Sequence, residues 1–226
     1  MRALRLLVLF AAALPLAGCP STRPLDRPVL ERAAGPYRHP ASGQRFPESV
    51  AGFWRLGFAT RYDEEGRDVS VGYNLLRPEV AVVATVYVFP APRHFSLGSP
   101  ERVVAAMKET IARGAYEATR DAILRKHVGA RVVSETEISE EKQGAVHRGR
   151  RAAFEYEDRF AKARREVASE LHHFCFVGNA WILEFRFSHP RGQDASGAIA
   201  EFLREFEWTV GEEQPPDSLP RPPQLP

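Results

Sequence analysis

Alternating apolar residues between Gly52 and Pro92 predict three consecutive β-strands. In the first two strands apolar side chains recur at every second position: Trp54, Leu56, Phe58 and Tyr62, then Val69, Val71 and Tyr73. Each strand is thus expected to turn that set of side chains toward a core. The segment from Val80 to Phe89 is apolar on both faces, which is typical of a central strand. The chain is therefore expected to be organised around a sheet.

A long helix is predicted after these strands. Ser99, Pro100 and Glu101 supply a capping hydroxyl, a proline for the first helical position and an acid in the first turn. Small and apolar residues then mark one face at helical spacing: Val103, Met107, Ile111, Ala115, Ala118 and Ala122. Gly129 is expected to end the helix, because glycine is the residue most often found just past a helix.

Four more strands are predicted in the second half of the chain. They cover Arg131–Ile138, His147–Tyr156, Val167–Val177 and Ala180–Ser188, and Gly178-Asn179 joins the last two as a tight hairpin. Pairing Val177 with Ala180 places a set of large side chains on one face: Phe174, Phe176, Trp181, Leu183, Phe185 and Phe187. This aromatic face is expected to be core.

The fold is predicted to close with a short amphipathic helix. Asp194 or Ser196 is expected to cap it, and Ile199, Phe202, Leu203 and Phe206 recur at helical spacing. Trp208–Val210 then form a final strand or extended piece. The order of elements predicts one α+β domain over residues 46–211, with a mostly antiparallel sheet of six to seven strands and one long and one short helix.

The amino terminus carries the features of a processing signal. Arg2 and Arg5 precede a short apolar run from Leu6 to Leu16. This run is shorter than the about 20 residues that a membrane-spanning helix needs, so residues 1–18 are predicted to be a cleaved signal peptide. The four residues Leu16-Ala17-Gly18-Cys19 resemble the bacterial lipobox.

That resemblance implies a lipid anchor on Cys19. The sulfur would receive a diacylglyceryl group, cleavage would precede the cysteine, and a further acyl chain such as palmitate would follow on the new amino terminus. The domain would then face the periplasm from the cell envelope, and Pro20, in place of an aspartate, mildly favours the outer over the inner membrane. The alternative is an ordinary signal peptide with a chance cysteine.

Proline-rich segments flank the predicted domain. Residues 19–45 read as a tether after the lipidated cysteine, which at about 3.1 Å per residue would reach up to ~80 Å from the bilayer. Residues 212–226 contain six prolines and read as a disordered tail.

The net charge of the chain does not point to nucleic acid or to an anionic surface. Removing residues 1–18 takes away two arginines and leaves 29 basic and 29 acidic residues. A mature chain without net charge gives no indication of nucleic-acid binding.

Candidate chemistry is confined to the hairpin. His173, Cys175 and Glu184 share the face opposite the aromatic residues, with His173 directly across from Glu184. These residue types could bind zinc or copper, or form a Cys-His nucleophile pair. However, side chains two positions apart on a strand are about 6.5–7 Å from each other, and cysteine is short. We therefore expect no metal, no cofactor and no catalytic residue here, and a buried Cys175.

Several segments together resemble the PsbP-like superfamily, which includes DcrB-like envelope lipoproteins. The resemblance rests on Phe46-Pro47 before a strand, the Asp68–Tyr73 strand, Tyr87–Pro90 and the terminal Phe202–Trp208 segment. It implies a sheet-and-helix sandwich whose members mostly bind or stabilise other proteins. The expected function is a non-enzymatic, lipid-anchored envelope protein with a protein partner. A ligand- or metal-binding lipoprotein is the alternative, and a hydrolase is a third possibility.

Overall fold

A computed structural model describes residues 23–92, 101–160, 162–176 and 181–210. The strands in these ranges are β1 (Pro24–Arg32), β2 (Tyr37–Arg38), β3 (Arg45–Phe46), β4 (Ser49–Val50), β5 (Phe53–Asp63), β6 (Val69–Leu76), β7 (Ala81–Pro90), β8 (Arg131–Lys142), β9 (Ala145–Phe160), β10 (Ala163–Phe176) and β11 (Trp181–Pro190). The helices are α1 (Glu101–Lys126) and α2 (Ser196–Glu205).

One large sheet dominates the described part of the chain. Its strands lie in the order β1-β5-β6-β7-β11-β10-β9-β8, β4 pairs with β5, and every pairing is antiparallel. The predicted antiparallel sheet with one long and one short helix is therefore confirmed. The predicted strand number is wrong, because the main sheet has nine strands and β2 and β3 form a second, two-stranded sheet.

The two faces of the main sheet pack against different helices. On one side, here called the α2 face, α2 covers apolar side chains of β5, β6, β7 and β11. On the other side, the α1 face, Tyr116 and Ile123 of α1 pack on β9 and β10. The predicted aromatic face of the hairpin is confirmed as core on the α2 face, with Leu183, Phe185 and Phe187 fully buried.

The predicted tether over residues 19–45 is wrong for the described part of that range. Pro24–Arg32 forms the edge strand β1, which pairs with β5. His39, Ser42 and Gln44 are buried beyond it. The prolines suggested an extended linker, but an edge strand tolerates proline. The backbone N–H groups on its outer side have no neighbouring strand to bond to, so a proline there removes no hydrogen bond of the sheet. The described part of the predicted tether thus belongs to the folded domain.

The predicted core side of β5 is also wrong. Phe53 and Ala59 are buried, whereas Trp54, Leu56 and Phe58 are exposed. The pairing of β5 with β6 is interrupted between Arg55 and Ala59, and Gly57 in the interruption has a φ of 70°. Four residues of β5 lie opposite two of β6 there, so the bulge inserts two residues and leaves the alternation unchanged: Trp54, Leu56 and Phe58 share the outward face.

Helix α1 buries a different stripe from the one predicted. Ile111 is buried as expected, but Ala118 and Ala122 are exposed, and Tyr116 and Ile123 take their place. The helix ends at Lys126, three residues before Gly129, which has a φ of 71°. The α1 start signal at Ser99 and Pro100 lies outside the described residues.

Helix α2 has hydrogen bonds at both ends, although its N-cap position is one residue after the predicted Asp194. Its N-cap residue is Ala195, which makes no side-chain cap, while the Asp194 carboxylate accepts from the backbone N–H of Ser196. The Lys142 ammonium donates to the carbonyl oxygens of Leu203, Arg204 and Phe206. These are the carbonyls that a helix end leaves without internal partners.

The β8–β9 and β10–β11 hairpins both form, and the first is tighter than predicted. Strands β8 and β9 are joined by Gln143-Gly144 alone, whose φ angles of 52° and 76° suit a type I′ turn. In the second hairpin the register of β10 and β11 is as predicted. Its turn residues, the signal peptide, the lipobox and the tail over residues 212–226 lie outside the described residues.

Candidate functional site

A buried histidine–carboxylate pair lies at the centre of the α1 face. His173 on β10 is directly across from Glu184 on β11, as the sequence predicts. The His173 Nδ1 atom is 3.0 Å from a Glu184 carboxylate oxygen, and the residues are 2% and 4% exposed. The other ring nitrogen, Nε2, is buried and has no hydrogen-bond partner in the described part of the chain.

The pair fixes the chemistry of the free nitrogen. A carboxylate in its ionised form only accepts hydrogen bonds, and with that form of Glu184 the shared proton lies on Nδ1 of His173. In the neutral ring Nε2 then carries a lone pair and acts as an acceptor. The ring also makes an edge contact with Tyr116 of α1, with centroids 6.0 Å apart. The helix thus holds the imidazole in one orientation.

His173 forms part of the wall of an open cleft of about 490 Å³ between α1 and strands β8–β10. Its other polar walls are Glu109, Glu137, Ser139, Arg148, Arg150 and Cys175. The Arg150 guanidinium donates to Glu109 at 2.9 Å and to Glu137 at 3.1 Å. Arg148 has no ion-pair partner among the described residues. The cleft therefore combines a buried acceptor with one unpaired cation.

Cys175 lies on the same cleft wall but is poorly suited to react. Burial raises the pKa of its thiol to about 11, so the thiolate that nucleophilic or metal chemistry requires is disfavoured. The structure thus brings together all three predicted candidates, His173, Cys175 and Glu184, but only His173 and Glu184 are hydrogen bonded. Across the described ranges, no group of three His, Cys, Asp or Glu residues is arranged to hold a metal ion.

His172, the neighbour of His173, lies on the opposite face. It is buried, contacts Phe187 edge-on at 5.8 Å and hydrogen bonds to Glu170 at 2.9 Å. Hydrogen bonds from His172 and Arg151 outweigh the effect of burial, which alone would raise the pKa of Glu170, and lower that pKa to about 2. His172 is therefore a structural residue of the core.

An exposed apolar surface on the α1 face was missed by sequence reasoning. Here called the apolar patch, it consists of Leu30, Trp54, Leu56, Phe58 and Leu76, which are 49% to 78% exposed. Strand register places them on one side of β1, β5 and β6, since Trp54 opposes Asn74 and Leu30 opposes Thr60. The Leu56 side chain lies against Gly72, where an added Cβ would be 2.9 Å from its Cδ1 atom.

No local sequence signal could have revealed this patch. Gly57 marks a bulge, as a glycine inside a strand often does, but the bulge leaves the alternation of β5 unchanged. The alternation alone does not say that the side with Phe53 and Ala59 faces the core.

Two comparisons with known proteins found no match for this chain. It matches no protein-family model, and no curated protein matches it either. The resemblance to the PsbP-like superfamily therefore remains a prediction. Of the described helices, neither is both long and apolar enough to cross a membrane.

Proposed function

We propose that this protein is a lipid-anchored, non-enzymatic component of the bacterial cell envelope that binds another protein through the apolar patch. The observation that supports the proposal is the exposure of Trp54, Leu56 and Phe58 on one side of a paired sheet. Contiguous exposed apolar surface of this kind marks interaction sites on soluble domains.

The composition of the patch suits a protein partner. Aromatic residues and arginine are enriched in the centres of protein interfaces. Trp54 and Phe58 supply the aromatic groups here, and Arg32 lies directly opposite Phe58 on β1. Burying a leucine or phenylalanine side chain contributes about 1.5–3 kcal/mol. Because hydrogen-bonded strands already hold these side chains, little backbone ordering would oppose binding.

The position of β1 limits how far the domain would lie from the bilayer. β1 begins at Pro24, and the five residues from Cys19 to Pro24 span at most about 18 Å at ~3.5 Å each. The earlier expectation of a long tether would have allowed ~80 Å. With a lipid on Cys19, the domain would therefore be held close to the membrane surface. Its partner would be an envelope protein that lies at a similar distance from the bilayer.

Site-specific photocrosslinking in intact cells tests the patch. A photoreactive residue at Leu30 should give a discrete adduct with a protein, because Leu30 is in the patch and 68% exposed. The matched control is Val146, which is apolar and equally exposed but outside the patch. Adding Trp54→Asp should remove the Leu30 adduct. Adducts with lipid alone, or the same adducts from both positions, would contradict a protein partner.

The anchor has a separate test. Cys19→Ser should leave unlipidated chain that no longer partitions into the detergent phase, since acyl chains are what hold such a protein on a membrane. A mutant that partitions as the wild type does would exclude the lipoprotein.

The alternative function is a ligand- or metal-binding envelope lipoprotein. His173 favours it, because this residue lines the 490 Å³ cleft, its buried Nε2 has no hydrogen-bond partner in the described part of the chain, and imidazole is the commonest protein ligand for metals. Elemental analysis of the purified chain decides the metal version. One equivalent of zinc or copper that is lost in His173→Ala would replace the protein-binding proposal with this alternative.

A further inference from the structure

A second polar network lies on the α1 face beyond the carboxyl end of α1. Asp158 on β9 accepts from Nδ1 of His127 at 2.9 Å. The Nε2 atom of His127 in turn accepts from the Arg186 guanidinium at 2.7 Å. The His127 ring also stacks on Tyr156, with centroids 4.1 Å apart, and the Tyr156 hydroxyl accepts from Arg186 at 3.2 Å. This network fixes the position of Arg186.

Arg186 has no carboxylate partner of its own. In the ranges that the structure describes, no Asp or Glu lies within ion-pair distance of it, and its Nε–H is buried without an acceptor. The nearest acid along β11, Glu184, is already hydrogen bonded to His173. Arginines that are partly buried are normally paired, because removing an uncompensated charge from water is costly.

The surroundings of Arg186 form a small open cavity of about 250 Å³. Four residues with hydroxyl groups line it: Thr85, Tyr87, Tyr156 and Ser188. Lys126, Arg159 and Asp158, whose carboxylate is hydrogen bonded to His127, are also part of its wall. Burial lowers the pKa of His127, and the positive charge of Arg186 lowers it further. A neutral His127 is consistent with its role as the acceptor for Arg186.

We infer that this cavity binds a small phosphate-containing anion, with Arg186 as its principal ligand. A carboxylate is best recognised by two parallel N–H groups of one guanidinium. Here the Nη2 group of Arg186 is already directed to His127 and Tyr156, so the planar fork is partly occupied. A tetrahedral phosphate, which accepts from several directions, fits the remaining donors better: the rest of Arg186, Lys126 and the hydroxyl groups. The inference is independent of the lipid anchor and the apolar patch.

Titration of the full-length chain, purified in detergent, tests the inference. Inorganic phosphate, added at constant ionic strength and followed by calorimetry and by the melting temperature, should bind saturably. Arg186→Gln should weaken binding at least tenfold, since an ion-assisted contact is lost. Arg148→Gln is the matched control, because Arg148 is also unpaired but lies in the other cleft, and it should bind phosphate as the wild type does.

Other outcomes decide the source and the validity of the site. A soluble short-chain phosphatidylglycerol that binds more tightly than phosphate, with the same dependence on Arg186, would identify a lipid headgroup as the source. Equal or weaker binding would indicate a free phosphate compound. If Arg186→Gln does not fold, Arg186→Lys should still bind more weakly, because lysine lacks the planar set of donors. No saturable binding by the wild type, or equal binding by wild type and folded Arg186 variants, would overturn the inference.

Discussion

The two faces of the sheet differ in what they bury. The α2 face encloses rings that meet mostly edge to face: Phe53, Tyr73, Phe174, Phe185, Phe187, Phe202 and Phe206. The α1 face buries Ser70, Ser169, His173 and Glu184 and leaves two clefts and the apolar patch open. Apolar packing is the main source of folding free energy, so stability is concentrated on the first face. On the second face, side chains can take part in binding without disrupting the apolar core of the first face.

Carboxylates show the same contrast in their pKa values. On the α1 side, burial raises the pKa of Asp68 to about 7, and the charges of Asp63 and Glu184 add to the rise. On the α2 side, the hydrogen bonds from His172 and Arg151 hold the pKa of Glu170 at about 2. One acid is thus destabilised in its charged form, and the other is stabilised.

The largest effect is expected from removing a ring of the α2 core. Phe202 is fully buried and its ring lies 4.8 Å from that of Phe53. Phe202→Ala should lower the free energy of unfolding by about 3–5 kcal/mol, because a cavity remains. Phe58→Ala, the same change in the apolar patch, should alter it by less than about 1 kcal/mol. Denaturant unfolding of both variants checks this, and similar losses would mean that the two faces do not differ as described.

A glycine pair tests how closely the core is packed. Gly149 lies under Phe174, and an added Cβ would be 2.5 Å from its ring and 2.6 Å from the His173 carbonyl oxygen. Gly149→Ala should therefore destabilise by about 2–3 kcal/mol, since backbone cannot move aside cheaply.

Gly114 is the control for this prediction, because an added Cβ would meet nothing within 4 Å there. Gly114→Ala in α1 should stabilise by up to about 1 kcal/mol through helix propensity. The sign of the two changes in melting temperature is the readout. A neutral Gly149→Ala would show that β9 and β10 are less tightly packed at this point than the structure has them.

Much of the second half of the chain could be predicted from local patterns. The hairpin register follows from the alternation of residues 167–188, and it placed His173 opposite Glu184 correctly. Helix α2 follows from the spacing of Ile199, Phe202 and Leu203, all of which are buried. These elements are predictable because one periodic face of each packs against a single core.

The amino-terminal half was less predictable because its structure depends on distant partners. β1 is a proline-containing edge strand that forms only by pairing with β5, and no periodicity in residues 24–32 reveals it. The side chains of β5 alternate as expected, but the side with Phe53 and Ala59 packs toward the distant helix α2, and Trp54 therefore faces outward. The Arg186 network joins Asp158, His127 and Arg186, which are 28 to 59 positions apart in the sequence. No local motif could therefore have indicated it.

The contrast between the two carboxylates predicts opposite pH dependence. Because the pKa of Asp68 rises from 3.8 to about 7, the native state holds its proton more tightly and stability falls as pH rises across that window. Asp68→Asn should therefore stabilise at pH 8, by on the order of 1 kcal/mol since the group keeps some contact with water. The gain should disappear near pH 4.

Glu170 should behave in the reverse way. Its pKa falls from 4.5 to about 2, so the stability that it contributes is present above pH 4.5 and is lost as pH falls toward 2. Glu170→Gln should cost about 1–3 kcal/mol at pH 7 and progressively less below pH 4. Unfolding curves for both variants at pH 8, 7, 5 and 4 check the prediction. Parallel pH profiles for Asp68→Asn and Glu170→Gln would show that the two acids do not occupy contrasting environments.

The smallest effect is expected at Cys175. Its thiol lies at the wall of the larger cleft, and burial raises its pKa to about 11. If the residue only fills space, Cys175→Ala should cost about 1 kcal/mol, the value of a small cavity. The thiol should also react slowly with iodoacetamide at pH 7.5, because only the thiolate is nucleophilic. A rapid reaction in the folded protein, with a loss well above 1 kcal/mol in Cys175→Ala, would mean that His173 and Cys175 act together and that the α1 face holds a reactive site.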